Sequence, residues 1–418
     1  MTTSLHDPLE LPCGLVLPNR VMKAAMSEAL ADSHNAPDSR LETLYRRWGR
    51  GGYGLFVTGN VMVDRTQLGE PGNVVIEDDR ELDALTRWAK AAHDGGVPIL
   101  VQLNHPGRQS NPFAIGHVPV APSAVPLSLP GSPTPRELTG AEIEDIIGRF
   151  VTAATVCETA GFDGVQLHAA HGYLITQFLS PLSNLRTDQW GGDAARRMRF
   201  LLEIVRGIRA RVSPGFAVAV KLNSADFQRG GFSEDESRAV VAALADEGID
   251  LLEISGGNYE SPAMSGSAVS AASTRAREAY FLDYARTVRT LVGAVPLAVT
   301  GGFRSRHAMA EAVASGDCDV VGIARPAATN PDAANEILSD HRDLPPTREL
   351  AYSVPRLVRK FVDVKAIEGM LNLSWNTDQI HRLGAGREPD VDRGRLATTV
   401  AMLRRNGRVS LQPKRSIR

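Results

Sequence analysis

Short apolar runs recur along the chain, and each is followed by a polar or glycine-rich turn and then by an amphipathic helical pattern. Near-continuous apolar strands that alternate with such helices are typical of a parallel sheet covered by helices. Eight units within about 300 residues favour an α/β fold of the (β/α)8 TIM barrel type over an open doubly wound sheet. The predicted strands are 21–25, 54–59, 98–103, 164–168, 217–222, 251–255, 296–300 and 320–323.

Two of the predicted helices carry complete start signals. Thr139 and Glu142 have the spacing of a capping box, and Gly161 follows the last apolar position of that helix. Ser233 and Glu236 repeat the box between the fifth and sixth apolar runs. We therefore expect helices in the connections after the third and fifth strands.

The regular alternation ends after Pro326, and the rest of the chain has mostly helical patterns with a Gly/Pro break at 384–389. The last residues, 413–418, are basic and resemble a solvated tail. We predict a barrel domain over residues 1–345 and a mostly helical C-terminal extension with a basic tail over residues 346–418.

Two long segments interrupt the barrel pattern. Residues 106–135 are rich in proline, and residues 256–273 are rich in Gly, Ser and Ala. Segments of this length in a compact domain are often lids or binding loops, and plain surface connections are the alternative.

The composition is that of a soluble globular protein. Of the 418 residues, 43% are apolar and 22% are charged, and the formal net charge of −2 argues against capture of nucleic acid or of an anionic membrane. Cys13, Cys157 and Cys318 lie far apart, so no zinc ribbon or iron–sulfur motif is encoded. No signal-peptide pattern and no apolar run of roughly 20 residues is visible, so we expect a cytoplasmic protein.

The segment 164–173 carries the strongest chemical signal. Its apolar run ends in His168 and His171, and Tyr173 follows two residues later, with small residues between them that permit a tight turn. Two imidazoles can donate hydrogen bonds to one oxygen, and a phenol can deliver a proton. The pattern predicts a site that polarises a carbonyl while a neighbouring carbon is reduced.

The connections after the seventh and eighth strands predict a phosphate site. Gly301 and Gly302 follow the seventh strand and precede a helix, and Arg325 follows the eighth strand. In a barrel these loops are neighbours, and backbone N–H groups, a helix N-terminus and a cation bind phosphate there. The alternative is a plain glycine turn and a surface arginine.

Other strand ends carry candidate ligands for a flat cofactor. Lys221 is costly in an apolar strand unless it faces a polar pocket, where it would hold an anionic ring or form a Schiff base; otherwise it extends outward. Gln102 can donate to and accept from a heterocycle, and Gly59 lets a flat group come close. The small or soft residues after the first strand suit a cofactor face or core packing; they are Ala24, Ala25 and Met26.

The glycine-rich segment 49–54 fits the pattern G-x-G-x-x-G but not its structural context. A dinucleotide-binding loop needs a strand before the glycines and a helix after them. Here a helical pattern precedes the glycines and a strand follows, so we reject a Rossmann loop.

Several segments together resemble the old yellow enzyme family of FMN-dependent ene-reductases. The resemblance covers roughly residues 8–345. Within the family, the chain is similar to the bacterial branch that includes NADH oxidase-like proteins. The segments that carry it are 17–20 (LPNR), 102–108 (QLNHPGR), 168–174 (HAAHGYL), 178–184 (FLSPLSN) and 186–192 (RTDQWGG).

The resemblance implies non-covalently bound FMN, NADH or NADPH as reductant, and ping-pong hydride transfer through flavin N5 to an activated C=C bond, as in an enone. It implies that His168 and His171 grip the substrate oxygen, that Tyr173 donates the proton, and that Lys221 is the cation near the flavin N1/O2 edge. The implied flavin-ring contacts are Ala24, Ala25, Met26, Gly59 and Gln102. The implied phosphate contacts are Gly301, Gly302, Ala324 and Arg325.

The chain also departs from the family pattern. Ser27 stands where many relatives have a redox-tuning cysteine, and Ala29 stands near the place of an active-site tyrosine. The cysteine cluster of the larger dienoyl-CoA reductases is absent. These departures affect the expected flavin potential and the expected grip on the substrate.

Three alternatives remain on the residues alone. A metal-dependent barrel hydrolase would use His168 and His171 as ligands, but such sites want carboxylates at other strand ends, where this chain has Lys221 and Arg325. A Schiff-base aldolase would use Lys221 and the phosphate site, and it leaves Gln102 unexplained. A flavin-binding protein without catalysis is the third.

The expected partner is a small-molecule alkene or quinone-like substrate, with no nucleic acid, membrane or metal. The physiological substrate and the choice between NADH and NADPH stay open. A homo-oligomer also stays open, because the C-terminal helices could cover a partner subunit or the active site.

Overall fold

The structure is a computed structural model that describes residues 3–129, 131–257, 279, 281–340, 343–344 and 364–410. The predicted loop at 256–273 lies outside the described residues from 258 onward, and the basic tail at 413–418 lies outside them as well.

Eight parallel strands close into a barrel. Each strand pairs with the next one along the chain, and the eighth pairs with the first. The strands are β1 Val21–Lys23, β2 Leu55–Val57, β3 Ile99–Asn104, β4 Gly164–Ala169, β5 Ala217–Asn223, β6 Leu251–Ser255, β7 Leu297–Thr300 and β8 Val320–Ile323. The predicted (β/α)8 barrel is confirmed, and every predicted strand agrees with an observed one to within two residues at each end.

Helices fill the connections between the strands. The principal helices are α1 Ser39–Gly49, α2 Leu82–His93, α3 Gly140–Thr159, α4 Ala194–Arg209, α5 Glu234–Asp246, α6 Leu282–Val288, α7 Arg306–Ala314, α8 Val364–Gly384 and α9 Arg395–Ser410. Both predicted capping boxes are present: Thr139 and Glu142 cap α3, and Ser233 and Glu236 cap α5. Local sequence therefore sets where these two helices begin.

The proline-rich segment after β3 contains more regular structure than its sequence suggests. It holds a 3-10 turn at Gly107–Gln109 and a short helix at Pro112–Ile115, and a strand at Val120–Ala121 pairs with Arg136–Glu137. Asn111 starts the short helix by accepting a hydrogen bond from the Phe113 N–H, which a pattern of apolar positions does not reveal.

Further short elements flank the barrel. An N-terminal hairpin pairs Leu9–Glu10 with Val16–Leu17, and Val61–Met62 pairs with Val74–Val75 after β2. Further short helices in the described ranges are Leu174–Leu179, Arg325–Thr329, Ala333–Asn335 and the π-helical turn Glu336–Asp340.

The core has two layers with different side chains. The layer between strands and helices is built from large aliphatic and aromatic residues. The barrel interior is narrower and therefore holds mostly small or medium residues, a packed filling and not a pore. Its buried members are Leu11, Leu17, Met22, Ala24, Leu55, Val57, Leu100, Ala217, Ala219, Leu251, Ala298 and Val320.

The C-terminal helices pack on the barrel beside the loop that follows β1. Helix α8 contacts α1 and the short helix Arg325–Thr329, and α9 contacts α8 and the short helix Pro112–Ile115. Nε2 of His381 on α8 lies 2.9 Å from the carbonyl oxygen of Glu28. The predicted domain boundary at residue 345 lies outside the described residues and stays a prediction.

Among the helices of the described ranges, none has the combination of length and apolar character that a bilayer crossing requires.

Candidate active site

Polar side chains gather inside the barrel at the carboxyl ends of β3 to β6, above the apolar filling. Gln102, Gln166, His168, Lys221 and Glu253 are each at most 3% exposed. The register places Gln102 beside Gln166, and it places Lys221 between His168 and Glu253. The barrel closure therefore brings together three residues that the sequence singled out and two, Gln166 and Glu253, that it did not.

These polar groups form a continuous row. Nε2 of Gln102 donates to Oε1 of Gln166 over 2.7 Å, and Nε2 of Gln166 donates to Oε2 of Glu253 over 2.8 Å. Nζ of Lys221 lies 2.9 Å from the other carboxylate oxygen of Glu253, although outside hydrogen-bond geometry, so this contact is an ion pair. A carboxylate in the barrel interior thus neutralises the predicted cofactor cation.

His168, His171 and Tyr173 form one cluster. The ring of His168 lies 4.9 Å from that of His171 and 4.8 Å from that of Tyr173, centroid to centroid, and both pairs meet edge to face. Nδ1 of His168 is buried and has no hydrogen-bond partner among the described residues. Because a buried polar atom without a partner is costly, this nitrogen is ready for a ligand.

The backbone at His171 is held in the left-handed region, with φ of 63°. The Asn223 side chain accepts from its N–H at 3.2 Å, and Nε2 of Gln109 donates to its carbonyl at 3.1 Å. Oγ of Ser255 lies 2.8 Å from Nε2 of the ring. Side chains from β5, β6 and the loop after β3 together maintain a conformation that non-glycine residues rarely adopt.

Both imidazoles are neutral at physiological pH. Burial lowers the pKa of His168 well below its usual value, and His171 and Lys221 lower it further. Burial, followed by Lys221, likewise lowers the pKa of His171. A neutral imidazole carries one N–H, so each ring offers one hydrogen bond as a donor and one as an acceptor.

Tyr173 precedes the helix Leu174–Leu179 and is 6% exposed. Nδ2 of Asn60, from the loop after β2, lies 3.2 Å from its hydroxyl oxygen. The N–H of Leu174 donates to the carbonyl of His105 over 2.9 Å, which ties this turn to the loop after β3. The phenol is thereby positioned beside the histidine pair.

The wall formed by β1 and β2 contains a second buried ion pair that sequence reasoning missed. Both carboxylate oxygens of Glu28 lie 2.9 Å from the N–H of Gly59, and the hydroxyl of Tyr45 donates to one of them over 2.7 Å. Nζ of Lys23 lies 3.5 Å from that carboxylate and 4.4 Å from the centre of the Trp48 ring. A lysine in an apolar strand, the signal that drew attention to Lys221, is equally present at position 23.

The packing between the loops after β1 and β2 requires a glycine at position 59. A Cβ atom at that position would overlap a carboxylate oxygen of Glu28 and the carbonyl oxygen of Met26. Ala24 is fully buried directly after β1, where its N–H donates to the carbonyl of Ile323, while Ala25 and Met26 are partly exposed. The residues predicted to line a flat group therefore lie on two adjoining loops.

Ser27, the position of the missing cysteine, is hydrogen-bonded to the carboxylate of Glu70. Burial raises the pKa of Glu70, whereas the hydrogen bond from Ser27 and the charge of Arg405 on α9 lower it. The C-terminal extension thus contributes to the electrostatics of the loop after β1.

The loops after β7 and β8 adjoin because these strands pair. Gly301 and Gly302 have φ of 131° and 84°, conformations that favour glycine. Oγ1 of Thr300 is buried without a hydrogen-bond partner in the described part of the chain, and a Cβ on the paired Gly322 would overlap it. Arg325 begins the short helix that follows Ala324.

The residues present fit a flat ring with a phosphate tail. His168 and Thr300 each place at the barrel mouth a buried polar atom that has no hydrogen-bond partner among the described residues. The glycine turn at 301–302 and Arg325 lie on adjoining loops. Across the described ranges, no group of three or more His, Cys, Asp and Glu side chains is arranged to hold a metal ion.

The closed (β/α)8 barrel gathers these residues at the carboxyl ends of its strands, where enzymes with this fold carry their active sites. The chain belongs to the NADH:flavin oxidoreductase / NADH oxidase family, whose family model matches residues 4–343. It is an FMN-dependent oxidoreductase that uses NAD(P)H as reductant. The family that the chain matches is thus one of oxidoreductases, and not one of hydrolases or aldolases.

Relatives and solved structures agree with the family. The chain is 40% identical over 356 residues to NADH-dependent flavin oxidoreductase iliE of Hypocrea jecorina (strain QM6a), covering 80% of this chain and 88% of that protein. It is 32% identical to NADPH dehydrogenase of Geobacillus sp. (strain WCH70), covering 79% and 92%. It superimposes on the old yellow enzyme homologue from Zymomonas mobilis with a TM-score of 0.70 at 25% identity, covering 83% and 95%. The branch within the family stays a prediction.

Proposed function

We propose that this enzyme reduces the activated C=C bond of enone-type substrates, with His168, His171 and Tyr173 as the residues that act on the substrate. The observation that carries the proposal is the clustering of the three rings, in which Nδ1 of His168 is buried beside a phenol and has no hydrogen-bond partner among the described residues. An enone presents one carbonyl oxygen and one carbon to be protonated, which matches two imidazoles and one hydroxyl.

The proposed cofactor site comprises the residues at the other strand ends. Bound FMN would supply the two-electron chemistry, by taking hydride from NAD(P)H and giving it to the alkene in ping-pong order. The residues proposed to hold its ring are Ala24, Ala25, Met26, Gly59, Gln102 and Lys221. The residues proposed to hold its phosphate are Gly301, Gly302, Ala324 and Arg325.

The histidine pair would bind the carbonyl oxygen, on which negative charge grows as the β carbon is reduced. Neutral imidazoles fit this role because each can give one N–H without a charge that would have to be desolvated. Donors that are already in place stabilise developing charge strongly in a buried site, and removing one typically costs about 100- to 1000-fold in rate.

Tyr173 would deliver the proton to the α carbon. Its hydroxyl lies beside His168 and within 3.2 Å of the Asn60 amide, so its orientation is fixed by neighbours on β4 and on the loop after β2. General acid catalysis by a positioned side chain contributes about 100- to 10,000-fold.

The test is rapid mixing of the NADH-reduced enzyme with 2-cyclohexenone and, separately, of the oxidised enzyme with NADH. We expect Tyr173→Phe to slow the reaction with the enone by at least about 100-fold. Its reduction by NADH should be nearly unchanged, because the phenol acts only on the substrate carbon.

Tyr53→Phe is the matched control. Tyr53 is also buried, and its hydroxyl has no partner within the described residues, so this variant should behave as the wild type in both reactions. Full enone turnover by Tyr173→Phe would remove this residue from the proposed role, and failure of the wild type to reduce any enone would refute the proposed substrate class.

A further inference from the structure

A row of four buried side chains crosses β3, β4, β6 and β5 inside the barrel, near the carboxyl ends of these strands. Gln102, Gln166, Glu253 and Lys221 are connected in that order, and only Gln102 and Lys221 belong to the proposed cofactor site. Gln166 and Glu253 are 0% exposed, so they act on a cofactor through their two neighbours.

The carboxylate determines the direction of the hydrogen bonds in the row. An ionised carboxylate only accepts, so Gln166 must turn its NH2 group towards Glu253 and its oxygen towards Gln102. Gln102 must then direct its own NH2 group to Gln166. The backbone N–H of Gln102 is also fixed, by Oγ1 of Thr58 at 2.9 Å. The side-chain oxygen of Gln102 is thereby left in one defined orientation.

The same carboxylate also sets the charge of the site. Lys221 alone would place a cation beside the ring, which would favour the reduced and more negative form of a flavin. Glu253 lies 2.9 Å from that ammonium group and offsets its charge in an environment from which water is excluded. Oε1 of Glu253 accepts no hydrogen bond from the described residues, so this contact is purely one of charge.

We propose that Glu253 and Gln166 are positioning residues that tune the flavin site, Gln166 by orienting the Gln102 amide and Glu253 by lowering the flavin reduction potential that Lys221 would otherwise set. This inference rests on the proposed cofactor site. Loss of Gln166 changes only the orientation of the Gln102 amide, whereas loss of the Glu253 charge changes the potential and also removes the group that directs the row.

Glu253→Gln tests the charge. The amide has the same shape and keeps one oxygen, but it no longer offsets Lys221. We expect reduced FMN to be favoured over oxidised FMN by about tenfold more than in the wild type, which is a shift of about +30 mV for a two-electron couple. The potential is measured by spectroscopic equilibration of the holoenzyme with a reference dye.

Gln166→Met tests the orientation. It breaks the row between Gln102 and Glu253 and leaves the ion pair with Lys221 in place. We expect the dissociation constant of FMN to rise about fivefold, the value of one ordinary hydrogen bond, with little change in potential. Fluorescence titration of apoprotein with FMN measures it.

Asp250→Asn is the matched control. Asp250 is a buried carboxylate at the opposite end of β6, where it pairs with Arg209 and accepts from the Val218 N–H over 2.7 Å. Its substitution should lower stability without moving the flavin potential or the FMN affinity. If Glu253→Gln acted only by destabilising the fold, it would therefore resemble Asp250→Asn: its stability would fall, and its flavin potential would stay that of the wild type.

The outcomes separate the inference from its premise. If Glu253→Gln has the wild-type potential, or if Gln166→Met has the wild-type FMN affinity, the corresponding half of the inference is overturned. If Glu253→Gln does not fold, Gln166→Met still tests the orientation, and Glu253→Asp tests the charge, because its shorter carboxylate lies farther from Lys221 and should raise the potential by less than about +30 mV. If Gln102→Leu and Lys221→Met also bind FMN with wild-type affinity, the proposed cofactor site itself is wrong.

Discussion

The docking of the C-terminal extension predicts a specific loss of stability in mild acid. His381 on α8 is partly buried, and its Nε2 lies 2.9 Å from the carbonyl oxygen of Glu28 on the loop after β1. Burial, and to a smaller extent the charge of Arg405, lower the pKa of His381 from 6.5 to about 4. The folded protein therefore keeps this ring neutral where the unfolded chain would protonate it.

The sign and the size of this loss of stability follow from proton linkage, because the folded and unfolded states bind protons at different pH values. Because the folded pKa is depressed, the contribution of His381 is complete above pH 6.5, declines as the pH falls from 6.5 to 4, and does not change further below 4. Between pH 7.5 and pH 5.0 the full shift corresponds to about 2 kcal/mol, and partial exposure of the ring brings the expected loss to roughly 1–2 kcal/mol.

The assay is urea unfolding of wild type and His381→Gln at pH 7.5 and pH 5.0. Glutamine keeps an amide donor for the Glu28 carbonyl but does not titrate, so the variant should lose about 1–2 kcal/mol less than the wild type on acidification. Buried His105, His168 and His171 contribute with the same sign, but they do so equally in both proteins and cancel from the difference.

Two buried carboxyl groups affect the pH dependence of stability in the opposite direction. Burial raises the pKa of Glu70 and of Asp226, so their contribution to stability grows as the pH falls. They also cancel from the difference between the two proteins. His307→Gln is the control, since that side chain is 91% exposed and should not alter the pH dependence. Equal losses for wild type and His381→Gln would refute the reasoning.

Two further predictions concern packing. Gly59→Ala should lower the free energy of unfolding by about 1–3 kcal/mol in urea, because the added methyl group overlaps the Glu28 carboxylate and the Met26 carbonyl oxygen; an unchanged free energy would contradict this close packing. Phe200→Ala should lower the free energy of unfolding by about 3–5 kcal/mol in urea, because the ring is fully buried and stacks on Phe178 at a centroid distance of 4.2 Å. A loss below about 1 kcal/mol would show that neighbouring side chains fill the space left by the ring.

The barrel itself could be predicted because its signals are local. Each strand is a short apolar run, and capping boxes mark the N-termini of helices such as α3 and α5. The parallel topology then places all carboxyl ends on one side, so reading those ends identified Gln102, His168 and Lys221 as inward-facing residues at the mouth. The short elements of the proline-rich segment after β3 were harder to predict, because the turns and caps that form them have no regular spacing of apolar residues.

The partners of the site residues could not be predicted in the same way. Glu253 lies in a run of apolar residues and shows its function only when β6 closes beside β5 and meets Lys221. Glu28 likewise gains a role only when β2 brings the Gly59 N–H to it. Such pairs join residues far apart in sequence, and no spacing rule encodes them.

The sequence by itself determined the strand and helix pattern, the chemical identity of the mouth residues and the family resemblance, because each depends on residues close together along the chain. Only the tertiary structure decided which charges are paired, which nitrogen of His168 lacks a partner within the described part of the chain, and how His171 is held with φ of 63°. These properties depend on burial and on contacts across the closed barrel, where desolvation makes every unpaired charge costly and every hydrogen bond specific.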